Sequence, residues 1–241
     1  MTKENLTTSA IQLLKDLIEI PSFSSEEHLT AARIEQWFTD YKVPFQRSQN
    51  NIWAVNKHFD ATKPTLLLNS HHDTVKPNSA YTNDPFNAFV EDGKLFGLGS
   101  NDAGGCLVSL MATFTHFYNQ ENLKYNLVIV ASAEEESSGP NGLNSMLSII
   151  PKVDVAIVGE PTLMNLAVAE KGLVVFDAVI EGTPSHAAHP NDNNAIYNSI
   201  EALQWFKDFK FEKGSEALGD VKLTVSQISA GSQHNVVPGH V

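Results

Sequence analysis

The sequence is poor in cysteine: its 241 residues contain one, Cys106. That excludes a disulfide framework and a Cys-based zinc site, and it makes a reducing cytoplasm the simplest compartment. Long apolar runs are missing too. The longest are short blocks such as Leu127–Ala131, against the ~20 consecutive apolar residues a membrane-spanning helix needs. The opening stretch, MTKENLTTS, lacks the apolar block of a secretory signal. Positive charge is scarce as well, with 16 Lys and Arg against 28 Asp and Glu, a net charge of −12. Such a balance repels phosphate backbones, so neither nucleic acid nor a membrane is an expected partner. No H-E-x-x-H, no G-x-x-x-x-G-K-[ST] and no G-x-S-x-G occurs. Gly97-x-Gly99 runs on to Gly104, which misses the dinucleotide spacing.

What is present is a globular composition, 42% hydrophobic and 18% charged, at a length that suits one large domain or two smaller ones. Ala10, Leu13, Leu14, Leu17 and Ile18 recur at helical spacing up to Pro21, and Ser24 or Ser25 is placed to cap a second helix carrying Leu29, Ala32, Ile34, Trp37 and Phe38. A short strand follows at Ile52–Val55. Thr65–Asn69, Leu127–Ala131 and Val153–Val158 read as strands buried on both faces. Asp92-Gly93 reads as a hairpin turn, and Ala103–Tyr118 and Leu143–Ile150 as helices. Buried strands alternating with helices predict an α/β fold with a mostly parallel sheet flanked by helices. The composition changes near Lys171-Gly172. Beyond it, Val174–Ile180, Ala195–Phe209 and Val221–Ile228 read as one strand–helix–strand unit, half of an α+β module. The expected division is 1–171 and 172–241.

In such sheets ligands collect beyond the C-terminal strand ends. Thr65–Asn69 leads into Ser70-His71-His72-Asp73, the hairpin into a glycine-rich segment with Asp102, Leu127–Ala131 into Glu134-Glu135-Glu136, and Val153–Val158 into Gly159-Glu160. Singly, His71 reads as a core histidine, Asp102 as a helix N-cap, and the glutamates as loop carboxylates. Four strand-end segments carrying such groups are harder to attribute to separate accidents. An imidazole with several carboxylates and no thiolate suits Zn²⁺ or a similar divalent ion. More carboxylates than one ion needs points to two ions. Asp73, two residues from His71 in an extended chain, can orient it. Of the adjacent Glu135 and Glu136, one can bind metal while the other stays free as a general base.

These pieces resemble the co-catalytic zinc deacylases and peptidases that include acetylornithine deacetylase, succinyl-diaminopimelate desuccinylase, aminoacylase and carboxypeptidase G. The matching segments, in family order, are SHHDTV (Ser70–Val75), LGSNDAGG (Leu98–Gly105), SAEEESSG (Ser132–Gly139), IVGEPT (Ile157–Thr162), GTPSHAAHP (Gly182–Pro190) and AGSQHNVVP (Ala230–Pro238). The resemblance implies a zinc-exopeptidase-like catalytic domain with an inserted lid that dimerises. It implies two Zn²⁺, with Co²⁺ or Mn²⁺ as substitutes. It makes His71 and Glu160 ligands of the first zinc, Asp102 the bridging carboxylate, Glu136 a ligand of the second, and Asp73 the partner of His71. Glu135 becomes the general base, His186 the lid residue that steadies the oxyanion, and Asn235 a substrate-binding lid residue. The implied reaction is hydrolysis of an N-acyl amino acid. Acetylornithine, and so arginine biosynthesis, comes closest from HHDTVKP, FGLGSNDAGG and AEKGLVV. Other deacylases, a dipeptidase and an inactive metal-binding fragment are the alternatives. The family's lid Arg and last His ligand fall beyond Val241, and His234 and His240 map poorly onto them. The expectation is therefore a truncated, poorly active and marginally stable chain.

Overall fold

Strand β6 (Asn126–Ser132) is buried along its whole length and forms the centre of a five-stranded sheet. The computed structural model describes residues 3–241. With β1 (Gln46–Ser48), β2 (Asn51–Val55), β3 (Thr65–His71) and β7 (Val155–Val158), the strand order is β1-β2-β6-β3-β7. The three apolar runs are mutually parallel: β3 pairs in parallel with β6 and with β7. β2 pairs antiparallel with β6 and with β1. The α/β fold forms as expected, with the three core strands parallel; β1 and β2 add antiparallel pairs at one side and make the sheet mixed, since a short apolar run does not specify the direction of pairing.

Period-two alternation sorts each strand onto two layers. Ile52, Leu68 and Ile129 join a large cluster with Leu13 of α1 (Lys3–Ile18), Ile34 and Phe38 of α2 (His28–Asp40), and Leu107, Met111 and Phe114 of α3 (Gly105–Phe117). Trp53, Leu67, Val128 and Val130 face the other way, against Met146 and Ile150. Each such side chain, fully buried, contributes about 1.5–3 kcal/mol, so the three-helix side carries most of the stability.

The Asp92-Gly93 turn forms as read. It joins β4 (Phe89–Glu91) to β5 (Lys94–Phe96), with both turn residues at positive φ, 49° and 74°, as a two-residue hairpin requires. Other expectations need correction. Only Leu143–Met146 (α4) of the segment Leu143–Ile150 is helical. β7 is exposed rather than buried, because among the described residues it has a strand on one side only. Neither Ser24 nor Ser25 caps α2; the residue before it is Glu27, with no side-chain cap bond.

The chain divides into two compact units, one ending at Met164 and one running Asn165–Val241. In the second, α5 (Ala195–Asp208) is capped by Asn194, whose side chain accepts from the Ile196 N–H at 2.9 Å. Val174–Ile180 and Val221–Ile228 are not strands. The only ladder there is β8 (Ser185–His186) with β9 (Val236–Val237). The physical reason is the lack of a core: only Ala195 and Ser199 are buried in this unit, while Val174, Val175 and Phe176 stay exposed. An apolar run with no face to bury against gains nothing from pairing.

Candidate metal centre

Parallel strands end on the same edge of a sheet, and here β3, β6 and β7 do. His71 closes β3, opposite Ser132 at the end of β6. The Glu134-Glu135-Glu136 turn follows Ser132, and Glu160 lies two residues beyond β7. Polar side chains lock these ends in register. Asn69 donates to the Val130 carbonyl and the Ser132 hydroxyl at 3.0 and 3.1 Å, and Ser70 donates to the Gly159 carbonyl at 2.8 Å. Asp102 arrives from a kinked segment, Ser100–Gly104, ahead of α3, and its own backbone is extended, at φ −112° and ψ 101°. It does not cap that helix; its carboxylate turns toward His71.

The resulting cluster is tight. His71 Nε2 lies 3.2 Å from Asp102 Oδ1, 3.8 Å from Glu135 Oε2 and 3.9 Å from Glu160 Oε2. Donor atoms of His71, Asp102 and Glu136 all fall within 4.8 Å of one another. His71 itself is buried, and its Nδ1–H donates to the Asp73 carbonyl oxygen at 2.9 Å. That bond fixes the ring and leaves Nε2 facing the carboxylates. Burial by itself pushes the imidazole down. The hydrogen bond and charge of Asp73, with the charges of Glu160 and Glu135, outweigh it and raise His71 to about 9. Glu160 is raised to about 7, first by burial and then, against the pull of His71, by Glu135, Asp102 and Glu136. Glu136 is raised by burial and by Asp102. Carboxylates crowded around one imidazole nitrogen form a donor set whose mutual repulsion a divalent cation would relieve.

Asp73 does more than its spacing implies. Its Oδ1 sits 3.4 Å from His71 Nδ1. The same carboxylate accepts the backbone N–H of Glu135 on Oδ1 at 3.0 Å and that of Glu136 on Oδ2 at 3.1 Å. Ser24 donates its hydroxyl to Oδ2 at 2.7 Å. Burial raises the Asp73 carboxyl, but these donors together hold it below the usual carboxylate range. Glu134 faces away from the cluster. Its carboxylate accepts from the Asn141 side chain and backbone and from the Ser25 hydroxyl, and it is nearly buried. His72 is buried too, between the Thr30 hydroxyl at 2.8 Å and the Asn50 carbonyl at 2.9 Å. Ser24, Ser25, Thr30 and Asn50 support the site without carrying a sequence motif for it. The serines had a local reading as caps, which hid their long-range bonds.

His186 and Asn235 lie in the second unit. His186 pairs with Val236 in the β8–β9 ladder, and the Ala187 N–H donates to the Asn235 carbonyl at 2.9 Å, so the two residues are neighbours across the strands. His186 Nδ1 accepts from the Ala188 N–H at 3.1 Å.

An α/β sheet that delivers one imidazole and several carboxylates to one edge presents a candidate site for divalent cations. The chain belongs to peptidase family M20/M25/M40, whose sequence profile matches residues 67–231. It is 28% identical over 253 residues to a succinyl-diaminopimelate desuccinylase of Rickettsia akari, covering 99% of this chain and 62% of that one. It thus spans somewhat under two thirds of that relative's length. Its fold resembles a tripeptidase of Staphylococcus aureus (TM-score 0.61, 19% identity, 100% of this chain and 64% of that one). It also resembles a dinuclear metal-binding peptidase of Bacillus subtilis (TM-score 0.55, 18% identity, 98% and 62%). Among the described residues no helix is long and apolar enough to cross a membrane.

Proposed function

We propose that this protein hydrolyses the amide bond of an N-acyl amino acid, using two zinc ions at the common end of β3, β6 and β7. The observation that carries the reading is the convergence of Asp102, Glu135 and Glu160 oxygens within 3.9 Å of His71 Nε2, with Glu136 beside them. His71 and Glu160 would hold one ion, Glu136 the other, and Asp102 both. Bound there, the ions would acidify a water and polarise the acyl carbonyl.

The chain's own residues supply the rest. Glu135 carries no ligand duty in this arrangement, so its carboxylate is free to take a proton from the attacking water and return it to the leaving amine. Asp73 keeps His71 and the two glutamates in place. Residues 1–171 act as the catalytic domain and 172–241 as a lid. His186 steadies the oxyanion, Asn235 contacts the substrate carboxylate, and the lid pairs two copies into a homodimer in the cytoplasm.

The acyl group is the finer question. The Rickettsia relative's name favours a succinyl group, carried on diaminopimelate. The HHDTVKP and AEKGLVV segments favour N-acetylornithine. The experiment is metal analysis of the purified protein, followed by a panel of N-succinyl-diaminopimelate, N-acetylornithine, N-acetylcitrulline and dipeptides, each with and without chelator. Expected are two zinc ions per chain and chelator-sensitive release of the amine from an N-acyl substrate. Cleavage of dipeptides alone would make it a peptidase. Protein that binds no divalent metal would end the proposal.

A further inference from the structure

Glu27 is a fully buried carboxylate that none of the roles above uses. Among the described residues no Lys or Arg forms an ion pair with it. Its side-chain oxygens are met by N–H groups. Oε1 accepts the Ser25 N–H at 2.7 Å and the Glu134 N–H at 3.1 Å, and Oε2 accepts from the Asn50 side-chain amide at 2.8 Å. A buried carboxylate is costly and is weak evidence for stability in itself. Its placement therefore calls for another reason.

The reason lies in what those donors belong to. Glu134, Glu135 and Glu136 present three consecutive backbone N–H groups. Glu27 takes the first, and Asp73 takes the second and third. Glu134 sits at φ 53°, a left-handed conformation that a residue other than glycine adopts at some cost, so the turn needs outside bonds to keep its shape. Glu27 also reaches the other side of the site. Asn50, held by Glu27 Oε2, accepts the Nε2–H of His72 on its carbonyl, and His72 adjoins His71. One carboxylate from the connection between α1 and α2 is thus bonded directly to the residue before Glu135 and, through Asn50, to the residue after His71.

We infer that Glu27 is a positioning residue that fixes the acidic turn so that Glu135 and Glu136 face His71 and Asp102. The inference rests on the two-ion reading above and adds a residue to it. It places the dependence on the ion held by Glu136, whose backbone belongs to the turn. The ion held by His71 and Glu160 hangs from β3 and β7 instead.

The test is a zinc titration against a competing chelator, run on the wild type, on Glu27→Ala, and on Leu13→Ala. Leu13 is a fully buried α1 core residue whose loss lowers stability without touching the turn. Glu27→Ala is expected to weaken the second zinc by about 10–100-fold, the range for groups that orient metal ligands, and to leave the first near its wild-type affinity. Leu13→Ala is expected to change neither. Should Glu27→Ala fail to fold, Glu27→Asp, which withdraws the carboxylate by one methylene, carries the same expectation. Two wild-type affinities in the Glu27 variant, or an equal loss in Leu13→Ala, would overturn the inference while leaving the two-ion reading intact. A wild type that takes up no zinc would remove both.

Discussion

The Glu135 backbone N–H donates to Asp73 Oδ1 at 3.0 Å, across 62 positions of sequence. A carboxylate read from its spacing as an orienter of His71 is therefore also a support for the turn that bears the proposed base. Asparagine at 73 would keep one oxygen and turn an NH₂ toward one of the two turn amides. One part-buried N–H would lose its acceptor, at less than the ~1–3 kcal/mol of a fully buried donor. We expect Asp73→Asn to lower kcat about 10–100-fold and to lower the thermal midpoint, read by a steady-state assay and thermal denaturation. A wild-type kcat would mean that the bonds at Glu135 and Glu136 do not matter to the reaction.

The contribution of Glu135 is separable from metal binding. Glutamine at 135 keeps the shape but cannot accept a proton, and general acid–base groups contribute typically 10²–10⁴-fold. Glu135→Gln is expected to lose about that much in kcat with zinc content near wild type, measured by metal analysis beside the assay. Parallel loss of metal would make Glu135 a ligand instead.

The strand-end residues were legible because their signals are local: a β-type apolar run, then His, Asp or Glu. The register that brings Glu160 beside His71 follows from parallel pairing of β3 with β7. The supports were not legible. Ser24 reaches Asp73 over 49 positions, and Glu27 reaches the Glu134 amide over 107; no periodicity encodes a bond of that span. Local propensity pointed the wrong way there, since Ser before a helix reads as a cap. In the second unit the apolar pattern at Val174–Ile180 was real, but propensity alone makes no strand where no core receives it.

Protein stripped with chelator should lose stability as pH rises. His71, raised from 6.5 to about 9, stabilises the fold fully below 6.5 and loses that contribution as pH climbs through 9. Glu160, raised from 4.5 to about 7, has the same sign between those values, because the folded state holds its proton more tightly. Asp73, lowered from 3.8, acts oppositely and only in acid. Below 6.5 the buried His72, lowered by burial, acts oppositely, so the midpoint of the stripped protein should fall between about pH 6.5 and 9, and zinc, which replaces those protons, should flatten the slope. Thermal melts at several pH values in chelator check this. A midpoint that is flat or rises over the range would contradict the raised His71.

Gly99 and Gly93 share one backbone conformation, φ 75° and 74°, in different surroundings. A Cβ on Gly93 would meet nothing within 4 Å, whereas one on Gly99 would come 2.7 Å from Thr74 Cγ2. Both alanine variants carry the left-handed penalty of about 1–2 kcal/mol. Gly99→Ala must in addition push Thr74 or the Ser100–Gly104 turn aside, and that turn carries Asp102 toward His71. The two variants should therefore separate in zinc affinity: Gly93→Ala unchanged, Gly99→Ala weakened, with the larger loss of stability also at Gly99. Chemical denaturation and a zinc titration measure both, and equal zinc affinities would mean that the turn holds Asp102 in place without help from the glycine.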